Sequence, residues 1–249
     1  MTRNNCHIRF PFEIMNHLNP LFREYQLPIK LFWKNAIIVL LVIFSVTAFG
    51  QNHFIGLKGG MSWTKIIMDK SLVDNKFRTG FSSGLTYSYR FLDNVTLGID
   101  LLYAQKGFKN EIVFTNQHGN LIGTKGFVEF NYNYLSFPIK VGYIIGNTIE
   151  GFINLGIVPS FLMNAETKIP TPDDNYTIDN TDEVTKFDFA GIIEIGGNYK
   201  INDRFLLFAS FDYQGSFTTI TNNDYFPKSK LKHHGMTLSL GLKYALRKQ

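Results

Sequence analysis

Few residues in this chain are suited to acid–base chemistry. His233 and His234 are adjacent, His118 stands alone, and Asp173-Asp174 is a carboxylate pair. A histidine acting as general base needs an orienting carboxylate and a nucleophile or water within hydrogen-bond reach, and these spacings assemble no such set. Asp173, Asp174, Asp179, Asp182 and Glu183 would together attract a cation such as Ca²⁺, but their spacing fits no ligand template. There is no glycine-rich phosphate loop. The expectation is a protein with no catalytic residue, no metal and no cofactor; hydrolysis at a rim, with His233 as base, is the minor alternative.

A second set of charges is better organised. Lys58, Arg90, Lys140 and Lys243 stand beside Asp100, Glu150, Asp188, Glu194 and Asp212. Each lies in a stretch where apolar and polar residues alternate, and each takes the polar side. Alternation of this kind is the mark of a strand with two unlike faces. In residues 79–91 and 95–106, Phe81, Leu85, Tyr87, Leu97, Ile99 and Leu101 share one face, while Ser82, Gly84, Thr86, Arg90 and Asp100 share the other. Leu102 is an apolar residue on that polar face, and the pattern gives no account of it.

Eight such stretches follow Gln51: 54–63, 79–91, 95–106, 128–145, 148–163, 186–200, 204–215 and 234–246. Aromatic residues suit a pleated surface and glycine does not suit a helix, so 24 Phe, 12 Tyr and 21 Gly agree with an all-β chain. The links alternate in length. Leu92-Asp93-Asn94, Gly146-Asn147 and Ile201-Asn202-Asp203 are short, and Gly146 and Asn147 both tolerate the positive φ of a tight turn. The links 65–78, 107–127, 164–185 and 216–233 are long.

Short turns at one end and long loops at the other are the habit of bacterial outer-membrane barrels, whose strands need about 9–11 residues to cross the bilayer. A soluble eight-stranded barrel would instead have to bury its bulky face. Eight strands leave an interior only wide enough for side chains, so the large aromatic and aliphatic face belongs outside against lipid, and the charged set belongs in the lumen. Unpaired buried charge is costly; the lumen is therefore expected to be a plug of paired charges and not a pore. Tyr89, Phe91, Tyr143, Tyr199 and Tyr244 fall at one membrane interface, and Trp63, Tyr103 and Phe161 at the other. Residues 128–143 break the rule, because the apolar set moves from even to odd positions after Tyr134. That change calls for a bulge or for a portion beyond the membrane. Pro138, with no amide to donate, should mark an irregular pairing.

The first 50 residues read differently. AIIVLLVIFSVTAF (36–49) is apolar but short of the ~20 residues a membrane helix needs. Lys30 and Lys34 precede it, and Ala48-Phe49-Gly50 precedes Gln51 as a small-x-small site, so a secretory signal peptide cut between Gly50 and Gln51 is expected. Residues 1–30 lie far upstream of such a segment, which suggests a true start nearer Lys34. Cys6 is the sole cysteine, leaving residues 51–249 without disulfides or thiolate metal sites. Of 25 basic and 20 acidic residues, five and two fall in the first 50; 20 against 18 remain, with no basic stripe for nucleic acid.

Ile99 to Gly107, IDLLYAQKG, resembles the "ELLYSQKG" strand end of PorT-like outer-membrane β-barrel proteins of Bacteroidota. Tyr134 to Lys140, YLSFPIK, is similar to the family's "YLEIPLLLK" strand, FIGLKGG (54–60) to its first strand, and Phe187-Asp188-Phe189-Ala190-Gly191 to its "DFG" strand start. Asp100 replaces the usual Glu and keeps the charge; the C-terminal residues Tyr244 to Gln249 do not end on the usual aromatic. The resemblance implies an eight-stranded antiparallel up-and-down barrel in the cell outer membrane, with lipid as its surroundings. Some members serve type IX secretion and gliding. Protein partners would meet the long loops, and nothing here indicates an oligomeric state.

Overall fold

Pro138 interrupts a strand, as its missing amide requires. In the computed structural model, which describes residues 53–68, 75–115, 118, 121–171, 175–221 and 230–246, β4 (Leu121–Ser136) stops before Phe137-Pro138 and β5 (Ile139–Gly146) resumes after it. Two backbone bonds bridge the gap, from Asp100 N to the Pro138 carbonyl and from Phe137 N to that of Pro159, both 2.9 Å. The two pieces act as one stave of a barrel.

The other staves are β1 (His53–Met68), β2 (Asn75–Arg90), β3 (Val95–Thr115), β6 (Ile149–Pro170), β8 (Phe187–Lys200), β9 (Phe205–Ser216) and β10 (Leu231–Ala245). All neighbours are antiparallel, and β1 pairs with β10 over Phe54–Ala245 to Met68–Leu231, closing a ring of eight. The short β7 (Asn175–Asp179) lies outside the ring, folded back on the end of β6. Closure leaves the ring no free edge in its spanning part, which is what a chain in lipid needs; only beyond it do β7 and the start of β4 pair on one side alone.

The three short turns share one end with the start of β1 and the end of β10. Gly146 takes φ +111°, while no residue other than glycine has positive φ among those described, so Asn147 does not share that role. At the other end the strands outrun the sequence-based limits. β3 and β6 run 21 and 22 residues, well past what a bilayer needs. The expected loops shrink accordingly: 107–115 and 121–127 are strand, 164–170 and 175–179 are strand, and β10 begins at Leu231 rather than after His233. The alternation underestimated these strands because polar residues outside the membrane remove the contrast between the faces.

The facing is as the alternation implied within the spanning part. Leu57 is 65% exposed, Leu240 63% and Leu155 56%, and Ile99, Val141, Ile195 and Phe211 lie on the same outer surface. Ser82, Thr86, Asp100, Ser210 and Ser239 are buried inside. Residues 128–143 need no change of face. Even positions point inward from Phe130 to Lys140; what changes is the lumen, which becomes aromatic toward the long-loop end. The bulge lies on β6, where the pairing moves from Tyr134–Leu162 to Asn133–Asn164 and skips Met163. Past it the odd residues Ala165 and Thr167 turn inward.

Candidate functional site: a charged lumen beneath an aromatic mouth

Nearest the short turns, Glu150 projects from β6 into the lumen with no exposed surface. Arg90 Nη2 donates to it at 2.9 Å, Asn198 Nδ2 at 3.1 Å, and Lys200 Nζ lies at 2.8 Å. Thus the carboxylate is met from β2 and β8 at once. Arg90 and Asp100, both on the lumen face, do not touch; each has its own partners.

One layer up, four strands converge. Lys58 from β1 donates to Glu194 of β8 at 2.6 Å, and Lys140 from β5 donates to Glu194 at 2.9 Å and to Asp100 of β3 at 2.6 Å. Lys58 also stands 3.8 Å from Asp100 and 4.0 Å from Asp212. Thr86 Oγ1 donates to Asp100, Asn154 Nδ2 to Glu194 and Gln214 Nε2 to Asp212. Charge-assisted bonds of this length are the strong kind, and because they join opposite walls they tie the barrel across its width. Glycine makes room for them: a Cβ at Gly142 would sit 1.9 Å from Asn154 Oδ1. Lys243 faces the same lumen but joins no ion pair. Its Nζ lies 4.7 Å from the Phe208 ring centre and 5.8 Å from that of Phe152, a cation–π arrangement. Gly241 clears that space, since a Cβ there would lie 2.3 Å from the Phe208 ring.

Leu102 has its place above this layer. With Pro138 and Ile192 it borders a gap of about 30 Å³, room for little more than water, between the four-strand layer and the next ion pair. That pair is Lys106 and Asp188, 2.8 Å apart, with Ser216 and Thr218 also donating to Asp188. Lys106 and Lys200 were missed in the sequence because they stand at the ends of their strands; following the even positions of β3 and β8 to the strand end finds both.

Above Lys106 the lumen turns apolar. Ile66, Phe108, Tyr132, Tyr134, Ala165, Val184 and Ile220 form a buried cluster. Phe108 and Phe130, paired across β3 and β4, stack at 4.3 Å and 9°. The segment after β7 folds into this mouth: Val184 bridges Thr221, and Thr185 N donates to the Ile220 carbonyl.

The residues weighed for catalysis do not assemble. His233 is buried on the lumen face of β10, edge-on to Tyr132 and Tyr134, and neither ring nitrogen has a hydrogen-bond partner. His234 points the other way, toward Phe77 and Tyr213. His118 is exposed and far along the chain's long-loop end. Asp173 and Asp174, like the Gly50–Gln51 site and residues 1–30, lie outside the described residues. The other acids of that segment have separate partners: Asp182 pairs with Lys186 and Glu183 accepts from Asn180. Asp179 accepts from the Thr181 amide, and the Thr181 hydroxyl and amide hold its pKa below the ordinary value. Among the described residues no group of three His, Cys, Asp or Glu is arranged for a metal.

A closed ring of eight strands, apolar outside and polar within, defines an integral β-barrel of the outer membrane. The family model described as the outer membrane protein beta-barrel domain matches residues 49–222, and the chain belongs to that family. Its place is the outer membrane; in barrels of this kind short turns lie on the periplasmic side and long loops at the cell surface. Among solved structures it is similar to neisserial surface protein A (11% identity, 78% of this chain and 96% of that one, TM-score 0.46). It is similar also to OprG of Pseudomonas aeruginosa (13%, 78% and 96%, 0.44) and to Ail, the attachment invasion locus protein of Yersinia pestis (14%, 78% and 99%, 0.38). Likenesses at this level concern the fold alone. No curated protein matches the sequence.

Proposed function

We propose that this barrel neither conducts nor catalyses, and that it works through its cell-surface end as a structural or interaction protein. One observation carries the reading: Lys58, Glu194, Lys140 and Asp100, all buried, join β1, β8, β5 and β3 across the lumen at mid-height. A chain of short ion pairs there occupies the space a solute would need. Planar-bilayer recording tests it. The wild-type protein should show no steady conductance at 100 mV in 1 M KCl, and steps of ordinary porin size would overturn the reading.

The links that would meet a partner are those after β1, β3, β6, β7 and β9, bounded by longer strands than the sequence suggested. The absence of catalysis is supported by His233, which has no bonded carboxylate to orient it. Membership of the PorT-like group rests on the quoted motifs. Lys140 and Asp188, which fall in two of them, both take part in the lumen pairs. That resemblance favours an accessory role in type IX secretion; co-purification of secretion components with the tagged protein from outer membranes tests it, and their absence after cross-linking would count against it.

A further inference from the structure

The aromatic mouth is not filled. A cavity of about 330 Å³ lies above Lys106, walled by Phe108, Phe130, Tyr132, Val184, Ile220 and Leu231. That is the lower end of the size range of small-molecule sites, and mostly apolar walls with a few polar groups are their usual character. The polar groups on its border are uneven in kind. Glu183 brings a carboxylate, and no lysine or arginine among the described residues pairs with it; its one bond is from Asn180 Nδ2 at 3.1 Å. The side-chain oxygens of Asn110 and Asn180, both on the same border, are buried and accept nothing. The one charge on that border is therefore negative and without a cationic partner, beside Thr167 and Thr221 hydroxyls that can donate or accept.

From this we infer that the cell-surface cavity is a binding site for a small organic ammonium compound with an apolar body. Aromatic faces attract a cation through the ring quadrupole, and here the stacked Phe108–Phe130 pair and Tyr132 lie on the same walls as the carboxylate. The apolar body would lie against Val184, Ile220 and Leu231, while the ammonium would donate to Glu183 and to the amide oxygens. Further passage is barred by the Lys106–Asp188 pair and the charged layer beneath it, so the site would hold its ligand without transporting it. The inference rests on the reading of a cell-surface end that does the work, and conductance recording tests that reading separately.

The full chain, refolded in detergent micelles, would be titrated with phenethylamine, phenethyl alcohol and phenylacetate, with saturation-transfer NMR as readout. Phenethylamine should bind, the alcohol at least tenfold more weakly, and phenylacetate not detectably. Glu183→Gln, a change on a surface turn, should weaken the amine at least tenfold and leave heat-modifiable migration unaltered. Val184→Trp, which fills the cavity from its wall, should abolish binding; if it also disturbs migration, Glu183→Gln decides alone. Equal binding of amine and alcohol, binding of phenylacetate, an unaffected Glu183→Gln variant, or no binding of the amine at millimolar concentration would each overturn the assignment.

Discussion

The two halves of the lumen solve the same problem with opposite chemistry. In the membrane-spanning half, strands that face lipid on the outside give most of their inner face to serine, threonine, glycine and paired charges, with apolar side chains such as Val158, Ile192 and Phe208 among them. The Lys58–Glu194–Lys140–Asp100 chain supplies attraction across the barrel, where the apolar cluster is only Val158, Ala190 and Ile192. In the half beyond the membrane, water replaces lipid outside, and the inner face reverts to the core of a soluble protein: Phe108, Tyr132, Tyr134, Val184 and Ile220. Solvent on the outside thus decides what the inside is made of. The first half should fail through unpaired charge, and the second through lost packing.

The largest effect expected is at Glu194. Replacing it with Leu leaves Lys58 and Lys140 short of a shared partner in a dry interior, and removing one member of a buried pair costs about 3–5 kcal/mol. Urea titration of the barrel folded into lipid vesicles measures it. The double variant Lys58→Met with Glu194→Leu should recover a good part of that loss, because a buried pair replaced by apolar residues of similar size is often neutral. A double variant as unstable as the single one would mean that the layer stabilises by more than mutual neutralisation.

Phe108→Ala comes next. A buried Phe→Ala change costs about 3–5 kcal/mol in a full core. Here one side of the ring already borders a cavity, so the lower end, about 3 kcal/mol, is expected by the same measure. The loss should appear first as protease sensitivity of the long-strand end, with the membrane-spanning part still migrating as a folded barrel. Simultaneous loss of both would show that the halves do not fail independently.

This division explains what the sequence could disclose. Period-two alternation assigned Lys58, Arg90, Asp100, Lys140, Glu150, Asp188, Glu194, Asp212 and Lys243 to the lumen, because one-residue slips would exchange the faces completely. It could not say which charges meet, since that depends on how strands far apart in sequence stagger around the ring. So Asp188 was without Lys106, Glu150 without Lys200, and Lys243 was grouped with ion pairs although it lies over Phe208. The aromatic mouth was hidden for a further reason. Phe130, Tyr132 and Tyr134 have the side chains of lipid-facing residues, and only their height above the membrane makes them inward. Where the outer surface is wet, alternation carries no sign.

Arg90 tests the lower boundary of the charged half. Its guanidinium retains some exposure, and Glu150 keeps Lys200 and Asn198 if it is removed. Arg90→Met should therefore cost only about 1–2 kcal/mol, between the values for exposed and buried pairs, again by urea titration. A cost equal to that of Glu194→Leu would place the short-turn mouth in as dry a setting as the middle.

The smallest effect is expected where the two halves meet. Tyr134 is fully buried, its ring centre lies 5.2 Å from Lys106 Nζ, and its hydroxyl has no partner. An orphaned buried hydroxyl costs stability, and deleting it relieves that cost while keeping the ring against Lys106 and His233. Tyr134→Phe should leave the urea midpoint unchanged or raise stability by up to about 1 kcal/mol. A loss above about 1 kcal/mol would reveal a partner for the hydroxyl, such as a bound water within reach of Asp188. The charged half would then extend one layer higher, and the change from paired charge to packed rings would be gradual, with Tyr134 belonging to both.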